Sequence, residues 1–216
     1  MPVGVLSAPA ALPNVEFHGV FSDTTSGTHK RTFSSVPFGN PASDRRVIVG
    51  YIGAGDGSHQ TVTIGGTAAT LITNSWTGAN TSSGFWERQN YSASDTSGTI
   101  EVTPNVTSSG MVIAVWSISR FSVPPDYRAR NFAPNSSDTY DRKEHGVVFG
   151  IAGGYGGVRG GSLDLDYELF DLDLSSNALA AWGGVEYPTA NVTGATMLAT
   201  MTGTEWTFSA LSYGPE

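Results

Sequence analysis

The residues best suited to chemistry lie in one run, Leu163-Asp164-Leu165-Asp166-Tyr167-Glu168-Leu169-Phe170-Asp171-Leu172-Asp173-Leu174. Successive side chains on a strand point to opposite faces, so Asp164, Asp166 and Glu168 share one face and Leu163, Leu165, Tyr167 and Leu169 the other. Carboxylates gathered in this way divide a general acid from a nucleophile, or collect a calcium ion. The alternation slips at Leu169-Phe170, which predicts a β-bulge. Geometry weighs against paired catalysis. Side chains two apart on a strand stand about 6.6 Å from each other, whereas a retaining glycosidase pair needs roughly 5–5.5 Å. A solvated strand face is the simpler reading of the three carboxylates, with calcium binding and hydrolysis as the alternatives.

A second set of candidates is aromatic. Trp76 and Trp86 bracket a polar connection that continues to Tyr91, and Tyr155 sits in a glycine-rich stretch, Gly153-Gly154-Tyr155-Gly156-Gly157-Val158-Arg159-Gly160-Gly161. Sugar rings stack on exposed aromatic faces while asparagine, glutamine and arginine bond their hydroxyls, so Trp76, Trp86, Tyr91 and Tyr155 are the candidate carbohydrate-binding residues. The competing reading buries Trp86 in the core, as large aromatics usually are. The glycine stretch lacks the Gly-Lys-Ser/Thr of a phosphate-binding loop. His18, His29, His59 and His145 have no ligand spacing, and no His-Glu-X-X-His or Gly-X-Ser-X-Gly motif occurs. No catalytic residue and no cofactor is expected.

Composition narrows the field. The 216 residues carry 11 basic and 19 acidic side chains, a formal net charge of -8. Lysine is almost absent, which argues against the basic groove that phosphate backbones require. With no cysteine, disulfides and thiolate metal sites are excluded. No segment approaches the roughly 18 apolar residues of a membrane helix, and the amino-terminal residues do not read as a secretory signal. The Asn-X-Ser/Thr sequons at Asn80, Asn90, Asn105, Asn135 and Asn191 are expected by chance in so asparagine- and threonine-rich a chain.

The elements that must position these groups read as strands throughout. Short apolar bursts of period two, such as Val15-Glu16-Phe17-His18-Gly19-Val20-Phe21, recur to Tyr213, and no stretch carries a helical stripe. Strands are predicted at 15–22, 29–36, 45–52, 60–65, 67–73, 85–91, 98–103, 110–119, 146–152, 163–173, 178–187, 194–201 and 205–213. Gly65-Gly66 reads as a two-residue hairpin turn. Residues 1–14 hold three prolines and are predicted to form an extended arm. Residues 120–145 form a long polar excursion, read as a crossover between sheets or a functional segment. Arg45-Arg46-Val47-Ile48-Val49-Gly50-Tyr51-Ile52-Gly53 rhymes with His145-Gly146-Val147-Val148-Phe149-Gly150-Ile151-Ala152-Gly153, a match one strand long. The expectation is an all-β antiparallel sandwich, jelly-roll or lectin-like, with residues 15–216 as a single domain.

Two resemblances add to this. Asp164-Leu165-Asp166-Tyr167-Glu168 is similar to the Glu-X-Asp-X-Glu signature of laminarinase-like glycoside hydrolases, themselves β-sandwiches. That resemblance would make Asp164 the nucleophile and Glu168 the general acid, although Asp164 is one methylene short of the family's glutamate. The broader likeness involves Asp44-Arg45-Arg46-Val47-Ile48-Val49-Gly50, Val62-Thr63-Ile64-Gly65-Gly66-Thr67-Ala68-Ala69-Thr70-Leu71, and the course from Gly146 through Trp182 to Trp206-Thr207-Phe208-Ser209-Ala210-Leu211-Ser212. Together these segments resemble β-sandwich virion surface proteins of alphaproteobacterial tailed phages and gene transfer agents, of the capsid-decoration, head-spike, fibre or tail-tip kind. The resemblance implies a structural or adhesive virion component without catalysis, homo-oligomeric in the particle and anchored through a terminal arm. Its partners would be other virion proteins and host surface polysaccharide, with neither nucleic acid nor membrane insertion. A lectin-like carbohydrate-binding module is the first alternative and a glycoside hydrolase the second.

Overall fold

The computed structural model describes residues 13–54, 60–77, 81–89, 95–122, 125, 127–131, 137–156, 161–174, 179–201 and 206–215. Among them every regular element is a strand, paired antiparallel. The all-β sandwich expected from the period-two pattern is what the chain forms.

The strands fall into two series. The first comprises β1 (Asn14–Asp23), β2 (Arg31–Pro37), β3 (Arg46–Ala54), β4 (Thr61–Ile64), β5 (Thr67–Ala68), β6 (Thr70–Thr77), β7 (Thr81–Arg88), β8 (Ser97–Thr103) and β9 (Gly110–Ser119). The second comprises β10 (Tyr127–Asn131), β11 (Ser137–Arg142), β12 (Val147–Tyr155), β13 (Gly161–Leu163), β14 (Tyr167–Leu174), β15 (Leu179–Glu186), β16 (Val192–Met201) and β17 (Trp206–Tyr213). β1 begins at Asn14, so the predicted arm gives way to a strand at its last residue. Residues 1–12 lie outside the described residues. The polar excursion is no empty crossover, because β10 and β11 lie within it. Between β4 and β5, Gly65 and Gly66 adopt φ of 56° and 76°, the left-handed pair that a type I′ hairpin requires and that a side chain would oppose.

Each series repeats one plan. The first forms a five-stranded sheet in the order β1-β9-β3-β7-β6 and a four-stranded sheet β2-β8-β4-β5. The second forms a five-stranded sheet β10-β17-β12-β15-β14 and a three-stranded sheet β11-β16-β13. Matching β10 to β1, β11 to β2 and so on reproduces every neighbour, with the two-residue β5 as the one addition. Pairing is nested: first strand with last, second with last but one, third with the strand inside that.

The two five-stranded sheets pack face to face, and the smaller sheets cover their outer faces. Three apolar layers result. The central one joins the halves through residues such as Ile48, Ile52, Phe85, Trp116, Phe149, Ile151 and Leu211. One outer layer holds Val47, Val49, Tyr51 and Trp86 beneath the four-stranded sheet; the other holds Val148, Trp182, Met197 and Phe208 beneath the three-stranded sheet. β3, β9, β15 and β17 are consequently buried at every position. A strand covered on both faces reads as a continuous apolar run rather than an alternation.

The halves interlock by exchanging knobs. A Cβ built on Gly153 would lie 2.2 Å from Ile52 Cγ2, and one on Gly50 would lie 3.1 Å from Ile151 Cγ2. Each isoleucine thus fills the space that a side chain would take on the opposing strand, and β3 and β12 run in the same sense across the interface. The sequence rhyme sets Val47 beside Val147 and Gly50 beside Gly150, and in structure that register is out by one. Val47 lies in an outer layer and Val147 in the central one. A one-residue slip exchanges the faces, and apolar content on both faces hides it.

A buried polar cluster ties the central layer to the connection between halves. Tyr213 donates its hydroxyl hydrogen to Glu87 Oε2 at 2.5 Å, and Arg46 Nη1 lies 4.0 Å from the same oxygen. The Arg46 guanidinium rests 5.0 Å from the Tyr213 ring centre and donates to the carbonyl oxygens of Phe121 and Ser122. Ser122 N donates in turn to Gly214 O at 2.9 Å.

Candidate functional site

The acidic run does not form one strand. β13 ends at Leu163, the chain bends through 165–166, and β14 starts at Tyr167 on the five-stranded sheet. Asp164 N donates to Leu198 O at 3.0 Å, so Asp164 belongs to the three-stranded side and Glu168 to the other. The shared carboxylate face expected of a continuous strand is therefore not built. The cause lies in β15, where Gly183 and Gly184 leave room for the bend. A Cβ on Gly184 would meet Tyr167 O at 2.3 Å, one on Gly183 the Phe170 ring at 2.3 Å. Leu165 drops towards Gly184 and Gly150 and packs on the outer core. The register shift between Glu168 and Phe170 is the bulge anticipated from the slipped alternation. Asp164, Asp166 and Glu168 are all exposed.

This bend forms one wall of a cleft of roughly 200 Å³, closed by Arg142 from β11, Glu186 from the end of β15, the loop 187–190 and Val192. Glu186 Oε2 accepts from the Tyr140 hydroxyl at 2.8 Å, and Oε1 accepts from Arg142 Nη1. The Arg142 guanidinium lies 5.2 Å from the Tyr140 ring centre. Burial pushes the Glu186 carboxyl above its ordinary value, and the charges of Asp166 and Asp164 push the same way. Tyr140 and Arg142 only partly offset this. Burial, followed by the Glu186 carboxylate, drives the Tyr140 hydroxyl far up, so it stays a donor. The loop is pinned by the turn after β11: His145 N donates to Pro188 O at 3.0 Å and Glu144 N to Asn191 Oδ1 at 3.0 Å. Tyr187 lines the cleft, and its exposed ring meets that of exposed Tyr167 edge to face, ring centres 5.7 Å apart.

The three aromatic candidates among the described residues do not share a surface. Trp86 is buried in an outer core layer, edge-on to Tyr51 at 5.7 Å and 82°, and offers no face to a sugar. Its place in the middle of β7, between β3 and β6, dictates this. Trp76 lies on the edge strand β6 with 37% of its surface exposed. Its partner in register is Ser82, four residues from Trp86, about 13 Å along the strand. Tyr155 is half-buried against the central layer. Tyr91 lies outside the described residues. Truncation separates the two tryptophans: Trp86→Ala is expected to cost about 3–5 kcal/mol, and Trp76→Ala within about 0.5 kcal/mol. Urea denaturation of both variants checks this, and equal losses would refute the assignment of Trp86 to the core.

A serine–histidine pair also appears that the sequence reading missed. A bulge in β1 between Phe17 and Gly19 turns His18 so that its Nε2 lies 2.8 Å from Ser117 Oγ. Glu16 stands two residues away, but its carboxylate is held by Asn14 Nδ2, Asn40 N and Asn40 Nδ2 at 3.1, 3.2 and 2.9 Å. Gly39, at φ 79°, covers the group so closely that a Cβ there would lie 2.4 Å from Ser117 Oγ. Ser117 is buried with no space for an acyl group beside it, and burial keeps the His18 imidazole below its usual range, so it is neutral. The pair is a partly buried structural hydrogen bond.

Sequence reasoning did not assemble the cleft either, because Arg142 and Glu186 are 44 residues apart. The one local signal was Tyr167 among the carboxylates. Among the described residues no group of three or more histidine, aspartate or glutamate side chains is arranged to hold a metal ion. The chain matches no known protein-family model, and no curated protein is detectably similar to it in sequence.

Proposed function

We propose that the chain is a structural and adhesive component of a bacteriophage or gene-transfer-agent particle, displayed on its surface and bound to neighbouring virion proteins. The observation that carries this reading is the nested strand pairing, present twice. Pairing first with last and second with last but one is how a long hairpin rolls up into a jelly roll, an architecture common among capsid and lectin domains. Two halves of the same nested pairing, packed through an apolar central layer, make a rigid block suited to bearing load and presenting surfaces. The acidic run is split between two sheets, which favours a scaffold over a hydrolase.

The test is particle association. A tagged copy expressed in the producing host should band with purified particles on a density gradient. Recovery only in the unassembled fraction would overturn the proposal. Deleting residues 1–12 should lower the particle-bound share if the amino-terminal arm is the anchor, and unchanged occupancy would assign anchoring to the sandwich. Reducing sugar released from β-glucan, and lost in Glu168→Gln, would establish the hydrolase reading instead.

A further inference from the structure

We propose that the cleft between Arg142, Asp166, Glu186 and Tyr187 binds one uncharged pyranose ring of a surface glycan. This deepens the adhesive part of the function proposed above and rests on it for its biological purpose. The argument begins with exposure. Most of the large aromatics in the described residues are buried, yet Tyr187, which lines the cleft, is 41% exposed, and the 55% exposed Tyr167 packs edge to face against it. Val192, also 43% exposed, lines the same cleft. Apolar surface concentrated beside a polar floor is the pairing a sugar presents, with C–H groups on one face of its ring and hydroxyls around its edge.

The polar side is equally suited. Asp166 and Glu186 supply acceptor oxygens, and the Arg142 guanidinium, which also bonds Glu186 and Tyr140, is 26% exposed. Acceptors and a donor converging from three elements match hydroxyls, which both give and accept. The floor is preorganised, because Tyr140 and Arg142 hold Glu186 by both oxygens and the 187–191 loop is fixed by backbone donors from 144 and 145. Charge selects within the class. Asp164, Asp166 and Glu168 are all exposed around the bend, so an acidic sugar is repelled. At roughly 200 Å³ the cleft has room for a single ring.

The experiment uses the whole chain and a panel of methyl glycosides, namely glucoside, galactoside, mannoside and N-acetylglucosaminide, with methyl glucuronide as the acidic control. Binding is read by saturation-transfer and chemical-shift titration. At least one neutral glycoside should bind saturably, with the glucuronide at least tenfold weaker. Tyr187→Ala and Asp166→Asn should each weaken binding about tenfold, the equivalent of about 1.4 kcal/mol, while leaving the thermal melt in place. Tyr187→Phe should retain binding, because the ring face and not the hydroxyl is used. Absence of saturable binding across the panel, equal binding of the glucuronide, or full binding by Tyr187→Ala would each overturn the proposal. Sugar binding by a chain that never enters particles would sink the virion reading and leave this site standing; particle association without sugar binding would do the reverse.

Discussion

Alanine at position 153 is expected to destabilise the protein by about 1–3 kcal/mol, the range for overpacking a filled core. Gly153 faces the central layer at the point where Ile52 of the opposite sheet fills the space, with Ile52 Cγ2 2.2 Å from the position of an added Cβ. Ile52 is buried and β-branched, so it has no free rotamer into which to retreat. Ala180 O at 3.0 Å closes the other side. Removing glycine from the unfolded chain returns only about 0.4–1 kcal/mol. Ile52→Ala alone should cost about 2–5 kcal/mol by leaving a cavity. The double variant should be more stable than the sum of the two losses predicts, by at least about 1 kcal/mol, because the new methyl occupies part of that cavity. Urea denaturation of the four proteins measures the coupling. Strict additivity would mean that the halves do not meet at this point. Since both halves share the central layer, fluorescence and circular dichroism should also report one coincident transition. Two separated transitions would show that each half folds alone.

A second large effect is expected at Glu87, where alanine should cost about 3–5 kcal/mol. The carboxylate is buried, accepts the Tyr213 hydroxyl hydrogen at 2.5 Å and lies 4.0 Å from Arg46, itself almost fully buried. Truncation leaves the guanidinium in a low-dielectric layer without its counter-charge, and the carbonyl oxygens of Phe121 and Ser122 replace only part of the lost stabilisation. Tyr213→Phe keeps the ring over Arg46 and removes one donor, for an expected cost of about 1–3 kcal/mol. The same trio of residue types recurs at Arg142, Glu186 and Tyr140. There the arginine is 26% exposed, so water can solvate it and Glu186→Ala should cost less than Glu87→Ala. Chemical denaturation of the two glutamate variants side by side tests the ordering. Equal or reversed losses would contradict the part assigned to burial.

What could be read from the sequence follows the range over which each signal acts. The Gly65-Gly66 hairpin and the bulge in the acidic run depend on neighbours a few residues away, and both stood out. β10 and β11 were missed because they are edge strands, with Arg128, Arg130, Asp138, Asp141 and Arg142 breaking any alternation, as edges commonly do. The cleft could not be seen at all, since Arg142, Asp166 and Glu186 come from three elements and their approach depends on the Gly183-Gly184 space. Trp86 was legible in both its readings, and only the layers above and below β7 chose between them.

By itself the sequence determined that the chain forms strands, where most of them lie, and that their apolar rows must be covered. Those properties follow from a period of two and from turn chemistry, which the local backbone enforces. Tertiary structure alone decided that the strands pair twice in the same nested order, that the two halves meet through Ile52 over Gly153 and Ile151 over Gly50, and that the register of the rhyme is odd rather than even. The physical reason is that a strand buried on both faces carries no alternation to mark which side is which. Only the neighbouring sheet, by offering glycine at one position and isoleucine at the next but one, determines the side each residue takes.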